Sequence, residues 1–276
     1  MNNAFVKARE KAEQATTDRQ ERNRIWWETL PMTYRSWEDS DRGVRDGQGF
    51  SQLERDYLDG NPWLKENFDF NAFKGKTTLE IGCGAGAASC LFARGGADHT
   101  AVDLTEQAVK ITTQNAQSQH LSMRVARMDA EKLEFPDNAF DHVFAWGVLH
   151  HSQDTQQCFR QVARVLKPGG TGLIMVYYKY SIRYWVRGVQ GLIGHGLLFK
   201  GYNLQSVQGF FTDGYYQRHF SKGELRRMLG SCGLDVTRFS VSHMKSKYIR
   251  PLPTFMDPWL KRHWGWLVIA EFKKRG

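Results

Sequence analysis

The sequence predicts an α/β fold in which a mostly parallel sheet of seven strands carries helices on both faces. Three observations predict it. Short apolar runs alternate with helical stretches of 8–15 residues through residues 77–177, a glycine cluster follows the first run directly, and a carboxylate, Asp103, stands 21 residues after Gly82 at the end of the next run. The alternation makes βαβ units, and their right-handed crossovers make neighbouring strands parallel.

The elements follow in order. Residues 7–24 are dense in Lys, Arg, Glu and Gln and are expected to form a solvated helix or frayed arm. Thr77–Ile81 is a strand that runs into Gly82, Gly84 and Gly86, and Ala87–Arg94 is a small-residue helix stopped by Gly95-Gly96. Thr100–Leu104 is the second strand, Glu106–Gln117 a helix, Met123–Met128 the third strand and Asp141–Trp146 the fourth. A helix over Thr155–Leu166 ends at Lys167-Pro168-Gly169-Gly170, and Thr171–Tyr177 is the fifth strand. Ser221 and Glu224 form a capping box that starts a helix, and Leu234–Val241 and Trp266–Phe272 are the last two strands. Such a sheet is Rossmann-like, with ligands at the carboxyl ends of its strands. The chain divides into an N-terminal helical and aromatic segment covering the site (1–73), a ligand-binding core (74–177), a lid insertion (178–220) and a C-terminal completion of the fold (221–276).

Gly82-Cys83-Gly84-Ala85-Gly86 lies where missing side chains let a ligand approach backbone and a helix N-terminus. Asp103 is placed to accept hydrogen bonds from both hydroxyls of a ribose. A dinucleotide fingerprint would have a third glycine at position 87, where Ala87 stands. The pattern GxGxG suits a nucleoside without a pyrophosphate and points to an adenosyl-methionine.

Five motifs in order sharpen this. Leu79–Gly86, Ala101–Leu104, Met128-Asp129-Ala130-Glu131, Phe140–Val143 with Leu149-His150-His151, and Leu166–Gly170 resemble the ordered signature of class I S-adenosylmethionine-dependent methyltransferases, within them the ubiquinone/menaquinone-biosynthesis-like (methyltransferase type 11) group. The resemblance implies S-adenosyl-L-methionine as cofactor and S-adenosyl-L-homocysteine as product. It implies that Glu80, Gly82, Cys83, Gly84 and Gly86 build the loop at the methionine and ribose portions, with Cys83 contributing backbone alone. Asp103 would hold the ribose and Leu104 pack on adenine. Asp129 would accept from the adenine amino group, with Ala130 and Glu131 beside it, and Trp146 and Gly147 would border the methionine end.

Methyl transfer from a sulfonium is an in-line displacement that needs positioning first and no metal. A hydroxyl acceptor must lose a proton and an amine must enter unprotonated, so His150 and His151, at the ligand edge after the fourth strand, and His219 are candidate general bases. Residues 178–220 hold eleven aromatics among 43 residues and begin at the carboxyl end of a strand, which predicts a helical lid over an acceptor pocket. Tyr178, Tyr180, Tyr184 and Tyr216 are its pocket candidates, with Trp27 and Tyr34 as N-terminal counterparts.

Composition bounds the partners. The chain has 276 residues and 31.8 kDa, a net charge of +9 and a mean hydropathy of -0.54. No apolar run approaches the ~18 residues of a membrane-spanning helix. No leader is visible near Met1, so a cytoplasmic location is expected, with peripheral membrane contact possible through the aromatic and basic 185–200 stretch. Cys83, Cys90, Cys158 and Cys232 are scattered and predict neither a metal site nor a disulfide framework. Residues 178–276 hold 17 Lys and Arg against 5 Asp and Glu, while residues 1–177 hold 21 against 24. The basic excess predicts an acidic small-molecule or lipid- or sugar-linked acceptor, with Arg183, Arg187, Arg218, Lys245, Lys247 and Arg250 available to hold it. O- and N-methylation both remain open. Two alternatives stand beside this: an RNA methyltransferase using the basic third, and a non-catalytic cofactor-binding subunit.

Overall fold

A computed structural model describes residues 3–30, 47–242 and 257–276. Strands β1 (Thr77–Ile81), β2 (Asp98–Asp103), β3 (Arg124–Arg127), β4 (Phe140–Trp146), β5 (Leu166–Tyr178), β7 (Leu234–Ser242) and β8 (Leu267–Lys274) form a sheet in the order β3-β2-β1-β4-β5-β8-β7. The two-residue β6 (His219–Phe220) adds to β5 off this path. All pairs are parallel except those of β8, which is antiparallel to both β5 and β7. The strand order reverses between β1 and β4, so the carboxyl ends of these two strands open a crevice.

The core strands are nearly continuous apolar runs because helices cover both faces. One face packs α7 (Thr155–Val165) and α9 (Lys222–Ser231) through Val143, Phe159, Val162, Leu225 and Leu229. The other packs α3 (Gly47–Gly60), α4 (Pro62–Asn67) and α5 (Ala87–Arg94) through Phe50, Leu53, Leu64, Phe92 and Phe144. Phe68, Phe70 and Phe73 lie edge-on or tilted around Phe92 and close this side.

Helix starts follow capping chemistry. Thr105 accepts from the Ala108 amide to begin α6 (Glu106–Ser118), Asp154 from Gln157 to begin α7, and Ser221 from Glu224 to begin α9. The expected strand at 171–177 is longer: Leu166 pairs with Phe140, a bulge follows, and regular pairing resumes at Thr171 with His142. The Pro168-Gly169-Gly170 turn is thus absorbed as an irregular strand entry rather than a connecting loop.

Two expectations change more. Residues 7–24, expected as a solvated helix or a frayed arm, are helical but not solvated all round: they form α1 (Asn3–Ala15) and part of α2 (Arg19–Thr29), with Ala8, Ala12, Asn23 and, just beyond, Trp26 buried. Their charged residues sit outward while small and aromatic positions pack inward against Leu30, Trp27 and Tyr215. Residues 178–220, expected as a helical lid, are helical only in pieces, α8 (Ile182–Val189) followed by short turns at Gln190–Gly194, Leu197–Lys200 and Ser206–Phe210. Their glycines are the reason: an added side chain at Gly191 would stand 2.3 Å from Val207, so close packing there requires the residue that weakens a helix.

Candidate functional site

The cleft lies where the topology opens the sheet. β1 ends at Ile81, and Gly82 follows with φ +79°, a left-handed conformation that also brings its backbone against Val148; a Cβ there would stand 2.1 Å from a Val148 methyl. Gly84, at φ +56°, donates its amide to Asp103 at 3.1 Å. The same carboxylate accepts from the Thr105 amide at 3.0 Å and its hydroxyl at 2.9 Å. Burial pushes the Asp103 carboxyl above its ordinary range, and these three donors oppose that. Leu104, Ala108, Met128 and Ala130 supply an apolar wall beside it.

Together they enclose about 210 Å³. Helix α2 crosses this space and is tied to the core along one face. Gln20 donates to both carboxylate oxygens of Asp129, Asn23 donates to the His151 carbonyl at 2.9 Å, and Glu28 accepts from the Glu106 and Gln107 amides at the start of α6. Trp27 lies between them, edge-on to the His151 ring at 4.9 Å.

At the other end, Trp146, Met175, Tyr177, His151 and Asp213 converge. Trp146 donates its indole N–H to Asn61 at 2.9 Å, and the Tyr177 hydroxyl donates to Asp213 at 2.6 Å. His151 is buried, its Nδ1 lying 2.8 Å from the Tyr216 carbonyl, while Nε2 has no hydrogen-bond partner. A carbonyl only accepts, so Nδ1 carries the proton and Nε2 keeps its lone pair. Burial lowers the His151 pKa, with Asp213 and the Tyr216 carbonyl pulling the other way, and the ring is neutral near pH 7.

The sequence-derived residues divide. Gly82, Gly84, Asp103, Leu104, Asp129, Ala130, Trp146, Gly147, Trp27 and His151 line the cleft. Glu80 does not: its buried carboxylate accepts from Ser89 and lies 3.7 Å from His99. Cys83 is buried against Thr112, Gly86 caps α5 beside Thr112, and Glu131 turns back to the Asp154 amide. His150 is buried away from the lining with its ring 3.8 Å from Tyr177, and His219 packs between Tyr184 and Trp266.

Of the tyrosines, Tyr178 packs into the core, Tyr180 is exposed, Tyr184 is buried against His219 and Tyr216 faces Arg19; none lines the cleft. The pocket tyrosine is Tyr177, because alternate residues of β5 face opposite sides and a one-residue step changes the face. Asp213 was missed although it is the only carboxylate in residues 178–220, a signal in itself. Gln20, Asn23 and Asn61 carry no motif. Tyr34, Lys245, Lys247 and Arg250 lie outside the described residues.

Residues 79–174 match a methyltransferase domain family. Over this span, about a third of its length, the chain is similar to class I S-adenosylmethionine-dependent methyltransferase domains, a likeness that implies S-adenosylmethionine as cofactor. Over 97 residues it is 34% identical to a ubiquinone biosynthesis O-methyltransferase of Coxiella burnetii, covering 35% of this chain and 42% of that one. It is 32% identical over 104 residues to phosphoethanolamine N-methyltransferase 3 of Arabidopsis thaliana, covering 37% of this chain and 21% of that protein. The match therefore spans less than half the length of these relatives. In fold it is similar to an S-adenosylmethionine-dependent methyltransferase of Mesorhizobium loti, with a TM-score of 0.55 at 20% identity over 79% of this chain and all of that one.

The residues present fit the cofactor. The Gly82 backbone leaves no room for a side chain, Asp103 stands at the end of β2 with its carboxylate on the cleft, and Leu104, Ala108, Met128 and Ala130 offer an apolar wall on which an adenine would pack. Gln20 covers Asp129, so an adenine amino group would take the place of its amide. Among the described residues no group of His, Cys, Asp and Glu is arranged to hold a metal ion.

Proposed function

We propose that the protein methylates a hydroxyl of a small-molecule or lipid- or sugar-linked acceptor, with His151 as general base. The cofactor supplies, when bound, an electrophilic methyl on a sulfonium. The chain's own residues place the acceptor and take its proton. His151 Nε2 accepts the hydroxyl proton, the Tyr216 carbonyl keeps Nδ1–H in place, and Asp213 stabilises the imidazolium that results. Trp27, Tyr177 and Trp146 offer flat walls for an acceptor. The observation that carries the reading is the fixed tautomer of His151, which presents a lone pair to the cleft.

The described lining contains Asp103, Asp129 and Asp213 and no lysine or arginine. That supports a small acceptor over an RNA strand, and it moves any acidic part of the acceptor out of the cleft toward the basic exterior. The basic candidates agree with this: Arg218 pairs with Glu224, and Arg183 lies over the Trp266 ring at 3.9 Å.

The test is incubation with methyl-labelled S-adenosylmethionine and fractionated metabolite and lipid extracts, followed by analysis of the labelled linkage. A methyl ether formed by the wild type and lost in Asp103→Ala is expected. Label found only on nitrogen, or on nucleic acid, overturns the reading.

A further inference from the structure

Nine large apolar side chains stand exposed among the described residues, and seven of them fall between Tyr180 and Phe199. Trp185, Val186 and Val189 project from α8, and Ile193, Leu198 and Phe199 from the turns that follow. Ile193 is 72% and Phe199 92% exposed, so neither contributes to any core. The segment that bears them is nonetheless held from beneath. Gln208 donates to the Tyr184 and Leu204 carbonyls, Ser181 caps α8, and Gly188 and Gly191 sit tightly on Leu204 and Val207. A fixed inner face and a concentrated outer apolar face describe a surface built to be covered.

Charge indicates what covers it. Lys179, Arg183, Arg187 and Lys200 fall within this stretch, and no Asp or Glu occurs from residue 178 to residue 212. Lys179 and Lys200 are exposed beside the apolar side chains. A second copy docking through the same face would set these cations against each other. Four of the seven, Val186, Val189, Ile193 and Leu198, are aliphatic and suit acyl chains rather than stacked nucleic-acid bases.

We infer that this face is a docking surface for an anionic phospholipid bilayer. Trp185, Ile193 and Phe199 enter the boundary between headgroups and acyl chains, while Lys179 and Lys200 meet headgroup phosphates. The short, glycine-broken helices suit an interfacial position; no described helix is long and apolar enough to cross a membrane. The segment leaves β5 at Tyr178, next in sequence to Tyr177 of the cleft lining. The surface does not depend on the methyl-transfer reading, and it is tested without it.

The experiment is co-sedimentation of the full chain with vesicles of phosphatidylcholine alone or with about one-third phosphatidylglycerol, at low and high salt. Wild type is expected on the anionic vesicles, with binding weakened by salt. The double variant Ile193→Asp and Phe199→Asp, at exposed positions and with an unchanged melting temperature, is expected to bind at least about tenfold more weakly. Absence of binding to anionic vesicles overturns the inference, as does binding that the double variant retains. Self-association seen by light scattering and abolished by the same variant, without vesicle binding, identifies a second copy instead and also overturns it.

Discussion

Gln20 donates its side-chain amide to both carboxylate oxygens of Asp129, at 3.0 and 3.1 Å, across 109 residues of sequence. The amide is chemically close to the amino group of adenine, and Asp129 is the residue that the family resemblance assigns to that amino group. On that assignment helix α2 covers the adenine side of the cleft with a contact that the cofactor would replace. Removing the competitor favours binding: Gln20→Ala is expected to tighten S-adenosylmethionine affinity about 3- to 10-fold, the scale of one typical net hydrogen bond. Asp129→Ala is expected to weaken it by a similar factor. Calorimetric titration measures both, and a weaker Gln20→Ala complex would show that α2 supports the cofactor rather than competing with it.

His151 and His150 are adjacent, and the structure separates them. Only His151 lines the cleft, with Nε2 free and Nδ1 on the Tyr216 carbonyl. His151→Ala is expected to lower kcat by about 10²–10⁴-fold with cofactor affinity unchanged. His150→Ala removes a ring packed on Tyr177 and is expected to cost stability more than turnover. Steady-state kinetics beside thermal melts distinguishes the two effects.

The base must be neutral to act. Burial lowers the His151 pKa below the ordinary 6.5, so the acid limb of the kcat profile is expected below pH 6.5. A limb above that value would assign the proton transfer to another group.

Stability has a pH dependence of definite sign. Burial lowers His142 and His219 to about 3 and His150 well below 6.5. The unfolded chain takes up these protons near 6.5 while the folded chain resists, so below 6.5 the unfolded state binds more protons. Stability from these groups is full above 6.5 and is lost progressively as pH falls toward about 3. Asp141, held down to about 2 by hydrogen bonds from Thr77 and by Lys167, loses its contribution in the same direction at still lower pH. A melting temperature that rises on acidification from pH 7 would contradict this account.

Gly82 combines a positive φ with contact against Val148. Gly82→Ala is expected to destabilise the fold by at least about 2 kcal/mol and to abolish cofactor binding. Pairing it with Val148→Ala relieves the overlap but not the backbone strain, so only partial recovery is expected in denaturant titrations.

Much of the core could be read from sequence because its signals are local. The strand into Gly82, the helix Ala87–Arg94, the cap at Ser221, and Asp103 after the second strand are set by residues within a few positions of one another. Their order alone determines a parallel sheet with a nucleoside site at its carboxyl edge. The acceptor end was less legible because long-range placement makes it. Tyr177 rather than Tyr178 faces the cleft through the pleat of β5, and Asp213 reaches it from a loop 36 residues on. Gln20 and Asn23 meet the core only through the packing of α2, whose charged sequence resembles a solvated helix. By itself, then, the sequence determined the cofactor-binding framework. Tertiary structure decided which of the two histidines lines the cleft, that the described lining holds carboxylates and no lysine or arginine, and that the apolar side chains of residues 180–199 are exposed, because these depend on contacts between segments far apart in the chain.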